Sequence, residues 1–119
     1  NIIIMQLINN HINYVEFKAK DLEKIKKFYS SAFNWYFTDF GPDYTAFSES
    51  GLAGGFEKSK KRTTNGALVI LYHKDLQQIQ ESIISAGGKI SKEMFSFPGG
   101  RRFHFKDPSG NELAVWSDK

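Results

Sequence analysis

Two short segments carry side chains able to do chemistry. Tyr14-Val15-Glu16-Phe17 and Arg102-Phe103-His104-Phe105 both alternate polar or charged residues with apolar ones. Alternate residues of a strand point to opposite faces. Tyr14 therefore shares a face with Glu16, and Arg102 with His104. An imidazole titrates near neutral pH and serves as acid, base or metal ligand. A carboxylate set among apolar side chains must find a partner or raise its pKa. Arg102 or His104 would supply Glu16 with that partner; the competing reading is a purely structural ion pair. For His104 the competing reading is a half-exposed, inert imidazole. His11 and His73 stand at element ends and read as surface residues. The sequence contains no cysteine, which excludes thiolate nucleophiles, disulfides, zinc fingers and Fe–S clusters and fits a cytoplasmic protein.

The elements that must position these residues follow from composition and pattern. The chain has 119 residues, 40% hydrophobic and 24% charged, the balance of one globular domain. Sixteen Lys and Arg against thirteen Asp and Glu give 16 − 13 = +3, spread along the chain, so neither a nucleic acid nor a membrane is expected as partner. No apolar run reaches the roughly 18 residues of a membrane span. Residues 1–4 precede Met5, and their short uncharged run does not read as a signal peptide. Met5 reads as the natural start and residues 5–119 as the domain.

Residues 15–32 align without a gap on residues 69–86 at an offset of 54, with seven of eighteen positions identical: Val15/Val69, Lys20/Lys74, Asp21/Asp75, Leu22/Leu76, Ile25/Ile79, Ser31/Ser85 and Ala32/Ala86. This predicts two copies of one module: module one over about 11–57, a polar linker over 58–65, and module two over about 66–118. In each, a β-branched and aromatic strand (12–18 and 66–72) leads to a helix capped by Asp21 or Asp75. The first helix carries Leu22, Ile25, Phe28, Tyr29, Ala32 and Phe33 as one stripe; the second carries Leu76, Ile79, Ile83 and Ala86 and stops at Gly87-Gly88. Three strands follow each helix: 35–40, 44–48 and 52–57 in module one, and 89–95, 101–106 and 112–117 in module two. The fold class is α+β, with βαβββ repeated twice.

Val15-Glu16-Phe17, Asp21-Leu22, Phe28-Tyr29 and Phe33-Asn34-Trp35, together with Asp107-Pro108-Ser109-Gly110-Asn111, resemble the vicinal oxygen chelate superfamily. Glyoxalase I, bleomycin resistance proteins and extradiol dioxygenases belong to it. The resemblance covers about residues 11–118. It implies a curved mixed sheet with helices on the convex face and a ligand pocket on the concave face. Family enzymes hold a divalent metal at four slots, which fall here on Tyr14, Leu68, Ala114 and a position near Ala53 to Gly55. None is a His or a carboxylate, so no metal and no cofactor are expected.

With Val15 and Phe17 turned to the first helix, the pocket would be lined by Tyr14, Glu16, Leu68, Ile70, Arg102, His104, Ala114 and Trp116. Tyr44, Phe47 and Phe56 are either further walls or plain core. The missing ligands and the aromatic cleft point to a metal-independent small-molecule-binding protein of this type, and a half-sheet apolar on both faces at Leu68–Leu71 points to a homodimer. The alternative the resemblance leaves open is a lyase, isomerase or dioxygenase-like enzyme with a non-standard or metal-recruiting site in the same cleft.

Overall fold

A computed structural model describes residues 7–61 and 66–119. Residues 1–6, including the expected start at Met5, and the part of the linker over 62–65 lie outside the described residues. The fold is α+β, with eight strands and two helices among the described residues. The described residues divide into two compact units, one within Tyr14–Val69 and one of Ile70–Lys119 with the residues from Leu7 to Asn13.

In the first unit the elements are β1 (Ile12–Ala19, which begins two residues before the unit boundary), α1 (Leu22–Phe33), β2 (Tyr36–Asp39), β3 (Tyr44–Ser48) and β4 (Gly54–Lys58). The strands lie in the order β2-β3-β4-β1. β1 and β4 run parallel, while β2/β3 and β3/β4 are antiparallel. Asp21 caps α1 by accepting the Lys24 backbone N–H at 3.1 Å. Asn34 ends the helix in the left-handed region at φ 61, its N–H donating to the Ser30 carbonyl, a role asparagine tolerates well.

One face of this sheet takes α1. Ala19, Leu22, Phe47 and Phe56 form its buried core, joined by Val15, Phe17, Ile25, Tyr29, Trp35 and Phe37. Tyr29 stacks on Trp35 at 4.7 Å between ring centroids. Phe47 and Phe56 are therefore core and not walls of a pocket. The expected six-residue stripe of α1 is narrower than its sequence suggests. Leu22, Ile25 and Tyr29 pack inward, whereas Phe28, Ala32 and Phe33 are exposed. Phe28 lies at the margin of the stripe, and Phe33 is the last helical residue.

The second unit holds the end of β5 (Leu68–Tyr72), then α2 (Leu76–Ser85), β6 (Lys89–Phe97), β7 (Gly100–Lys106) and β8 (Glu112–Ser117), in the order β5-β8-β7-β6. Asp75 caps α2 through the Gln78 N–H, and Gly87 follows the helix at φ 105. Leu76, Phe103 and Val115 are the buried core, packed with Ile79, Ile83, Ile90, Met94 and Phe105. Ala86, expected on the stripe, caps the helix and is exposed. β6 runs two residues beyond its expected end because Phe97 pairs with Gly100, and its register slips twice between Ile90 and Phe95.

Between β7 and β8, Asp107 organises the turn. One carboxylate oxygen accepts the backbone N–H groups of Ser109 and Asn111, and the other accepts the Asn111 side-chain amide. These bonds hold its carboxyl below the usual carboxylate range. His73 departs from its expected surface place. It is buried at the β5–α2 junction, where its Nδ1 accepts the Asp75 backbone N–H at 2.9 Å.

Candidate functional site

Each unit has a sheet face turned away from its helix, and the chemistry-bearing residues lie there. In the first unit Val15 and Phe17 belong to the α1 core, so period two sends Tyr14 and Glu16 to the other face. Glu16 is only 4% exposed. Tyr44 donates its hydroxyl to Glu16 Oε1 at 3.1 Å and lies 2.7 Å from the Tyr14 hydroxyl. A phenol has one proton to give. With Tyr44 committed to Glu16, Tyr14 must be the donor to Tyr44. The result is a relay running Tyr14 to Tyr44 to Glu16. Burial, and next the Glu16 charge, push the Tyr44 phenol far above its ordinary range, so it stays a donor.

Gly55 is what lets the two tyrosines lie down on the sheet. A Cβ there would stand 2.7 Å from the Tyr14 hydroxyl and closer still to that of Tyr44. Leu68 is buried and offers no donor atom.

In the second unit the register of β7 and β8 sets Arg102 opposite Trp116 and His104 opposite Ala114. Phe103, Phe105 and Val115 face α2, so Arg102, His104, Ala114 and Trp116 share the other face. Tyr72 meets Trp116 edge-on at 5.3 Å, and period two places Ile70 on the same side. An aromatic band runs along this face. Phe97 lies 6.4 Å from Trp116, the Arg102 guanidinium sits over Phe95 and Phe97 at 5.4 and 6.0 Å, and Phe95 lies 5.9 Å from the His104 ring. Trp116 donates its indole N–H to Asn13 Oδ1 at 3.2 Å.

His104 is 7% exposed. Its Nδ1 lies 3.0 Å from Glu112 Oε2, and its Nε2 is buried with no hydrogen-bond partner among the described residues. Burial lowers its pKa most; the Glu112 bond works against this, and the Arg102 and Lys92 charges add to the lowering. The imidazole is therefore biased to its neutral form.

The expected site residues thus form one group around Tyr14 and Glu16 and another around Arg102, His104, Ala114 and Trp116. The sequence reading missed Glu112, Tyr72, Phe95, Phe97 and Asn13, and placed Tyr44 no further than wall or core. Glu112 was within reach, standing two residues before Ala114 on one strand. Phe95 and Phe97 were not, because the slips in β6 break simple alternation.

The donor set does not suit a divalent metal. Among the described residues no group of three or more His, Cys, Asp or Glu side chains converges to hold one. Of the slots the resemblance implies, Leu68 and Ala114 bring hydrocarbon, the stretch near Ala53 to Gly55 brings small residues, and Tyr14 brings a phenol already hydrogen-bonded. Such metals take imidazole, carboxylate or thiolate ligands.

Comparison with known proteins agrees with this architecture. A family model described as Glyoxalase/Bleomycin resistance protein/Dioxygenase superfamily matches residues 11–115. No curated protein matches the chain by sequence. Among solved structures, the Mn(II)-bound glyoxalase from Novosphingobium aromaticivorans is 21% identical with TM-score 0.66, over 90% of this chain and 38% of that one. A glyoxalase/bleomycin resistance protein/dioxygenase superfamily member from Vibrio splendidus 12B01 is 13% identical with TM-score 0.68, over 87% and 96% of the two chains. The methylmalonyl-CoA epimerase from Mycobacterium tuberculosis is 10% identical with TM-score 0.66, over 97% and 92%.

Proposed function

Because the chain belongs to the glyoxalase/bleomycin resistance protein/dioxygenase superfamily, we propose that it is a small-molecule-binding protein of that type, working without a resident metal. One observation carries the reading. On the helix-free face of the second unit the polar side chain of His104 is buried, 7% exposed and 5.9 Å from the Phe95 ring, on the face that also carries Arg102, Phe97 and Trp116. Apolar surroundings with a few placed polar groups are the usual make-up of a ligand site. Ile70, Arg102, His104, Ala114 and Trp116 are the residues assigned to the ligand in this unit.

The test has two parts. Protein purified without chelators should contain no stoichiometric Zn, Ni, Mn or Fe by elemental analysis; about one ion per chain would overturn metal independence. A panel of planar aromatic fragments should give saturable shifts of the Trp116 indole N–H resonance. Trp116→Ala should weaken the best of them by about tenfold or more, the scale of an aromatic anchor. A panel with no saturable member would overturn the binding reading.

A lyase- or isomerase-type activity on the same face is the second reading, favoured by the contact between Glu112 and His104 Nδ1. A carboxylate in that place fixes an imidazole for proton transfer. Turnover that survives EDTA and disappears in His104→Gln would select it.

A further inference from the structure

Nothing in the binding reading says what the ligand must present to the protein. The two nitrogens of His104 do. One, Nδ1, lies 3.0 Å from a carboxylate oxygen of Glu112. An ionised carboxylate only accepts hydrogen bonds, so a neutral ring must carry its single proton on Nδ1 to complete this contact. The other nitrogen, Nε2, is then a bare lone pair, buried and without a partner among the described residues. Buried polar atoms of folded proteins are nearly always paired. The Phe95 ring lies 5.9 Å from the imidazole between centroids, and the same face carries Phe97 and Trp116, 6.4 Å apart. Lys92 on β6 and Arg102 on β7 are the cations facing the ring alongside Glu112 on β8, and they oppose a second proton on it.

We propose that His104 is the specificity-determining residue of this site: its Nε2 accepts a hydrogen bond from the ligand, and the ligand is a planar aromatic or heteroaromatic molecule with an N–H or O–H on its rim. Glu112 is a positioning residue that sets the tautomer. The assignment rests on the binding reading and narrows it from any small molecule to one that donates. It also makes the polarity of the site reversible. A glutamine at 112 can donate its amide N–H to Nδ1, leaving the proton on Nε2 and turning an acceptor site into a donor site.

The experiment uses a matched pair of probes, indole and benzofuran, which share a shape but differ in an N–H donor against an oxygen acceptor. Nitrogen-15 spectra of the free protein should show His104 protonated at Nδ1 and bare at Nε2. Titration of the full chain should show indole binding about tenfold tighter than benzofuran, the scale of one hydrogen bond. In Glu112→Gln the bare nitrogen should become Nδ1, and the preference should shrink to within about twofold or reverse. His104→Phe keeps an aromatic ring without the acceptor; it should bind both probes alike, and it decides the matter if Glu112→Gln does not fold. A protonated Nε2 in the free wild type, or equal affinities for the two probes, would overturn the assignment and leave the binding reading intact. Failure of indole to bind while other members of the fragment panel saturate would overturn this inference alone; a panel with no saturable member at all would remove the binding reading, and this inference with it.

Discussion

Tyr44 gives its proton to Glu16 Oε1 across 3.1 Å, and that single commitment determines what Tyr14 does. The buried carboxylate is accommodated by a phenol that cannot ionise at ordinary pH, because burial and the carboxylate itself hold the phenol protonated.

Removing the middle of this relay should cost more than removing its end. Tyr44→Phe strips a donor from a buried carboxylate and should destabilise by about 1–3 kcal/mol, whereas Tyr14→Phe removes one hydroxyl-to-hydroxyl bond and should cost about 0.5–1.5 kcal/mol. Urea unfolding of the two variants checks the order; equal costs would contradict the relay.

Gly55 bears on the same group. Gly55→Ala drives a methyl against both tyrosine hydroxyls, and overpacking of this kind costs about 1–3 kcal/mol. The penalty should couple to the relay, with Gly55→Ala in a Tyr14→Phe/Tyr44→Phe background costing at least about 0.5 kcal/mol less than in wild type. Additive costs would show that the crowding lies elsewhere.

The acid side of the stability profile should carry the mark of His104. Its folded pKa is lowered, by burial first, below the ordinary value of 6.5. Between the two values the unfolded chain holds more protons than the folded one. The contribution is therefore complete above the unfolded pKa and is lost as pH falls toward the folded one. The urea midpoint should decline as pH drops below about 6.5, and His104→Phe should flatten that part of the curve. A midpoint that rises on acidification through this window would reverse the sign and refute the account.

Assembly is expected to be dimeric. Phe28, Phe33, Tyr36 and Phe40 of the first unit are each more than half exposed, which is a large apolar surface for a monomer to leave in water. Sedimentation at tens of micromolar, roughly where a standard-size interface persists, should give twice the chain mass of 13.6 kDa. A species of the chain mass alone would dismiss the dimer.

The repeat was the most legible part of the sequence. Asp21 and Asp75 cap their helices through the third residue following, as the aligned positions require, and alternation around Phe103 and Val115 separated the helix side of β7 and β8 from the other. Partnerships were harder to read. Glu16 bonds Tyr44, 28 residues away, and sequence spacing carries no trace of such a pair. His73 was misread because an element end ordinarily lies at the surface, while here its Nδ1 secures the start of α2. The edge of the α1 stripe was misjudged because hydrophobicity marks what can be buried, and Phe28 and Phe33 exceed what the sheet covers.

The two slips in β6 also govern what length changes the strand tolerates. They set Lys92 opposite His104 and Phe95 opposite Arg102, which alternation alone would not allow. The segment between Ile90 and Phe95 works as a phase adjuster for everything after it. Deleting one residue there is not a local trim, since a one-residue slip sends every later side chain to the opposite face. Phe95 and Phe97 would turn toward α2, and the aromatic band beside His104 would disappear without any of its residues being replaced.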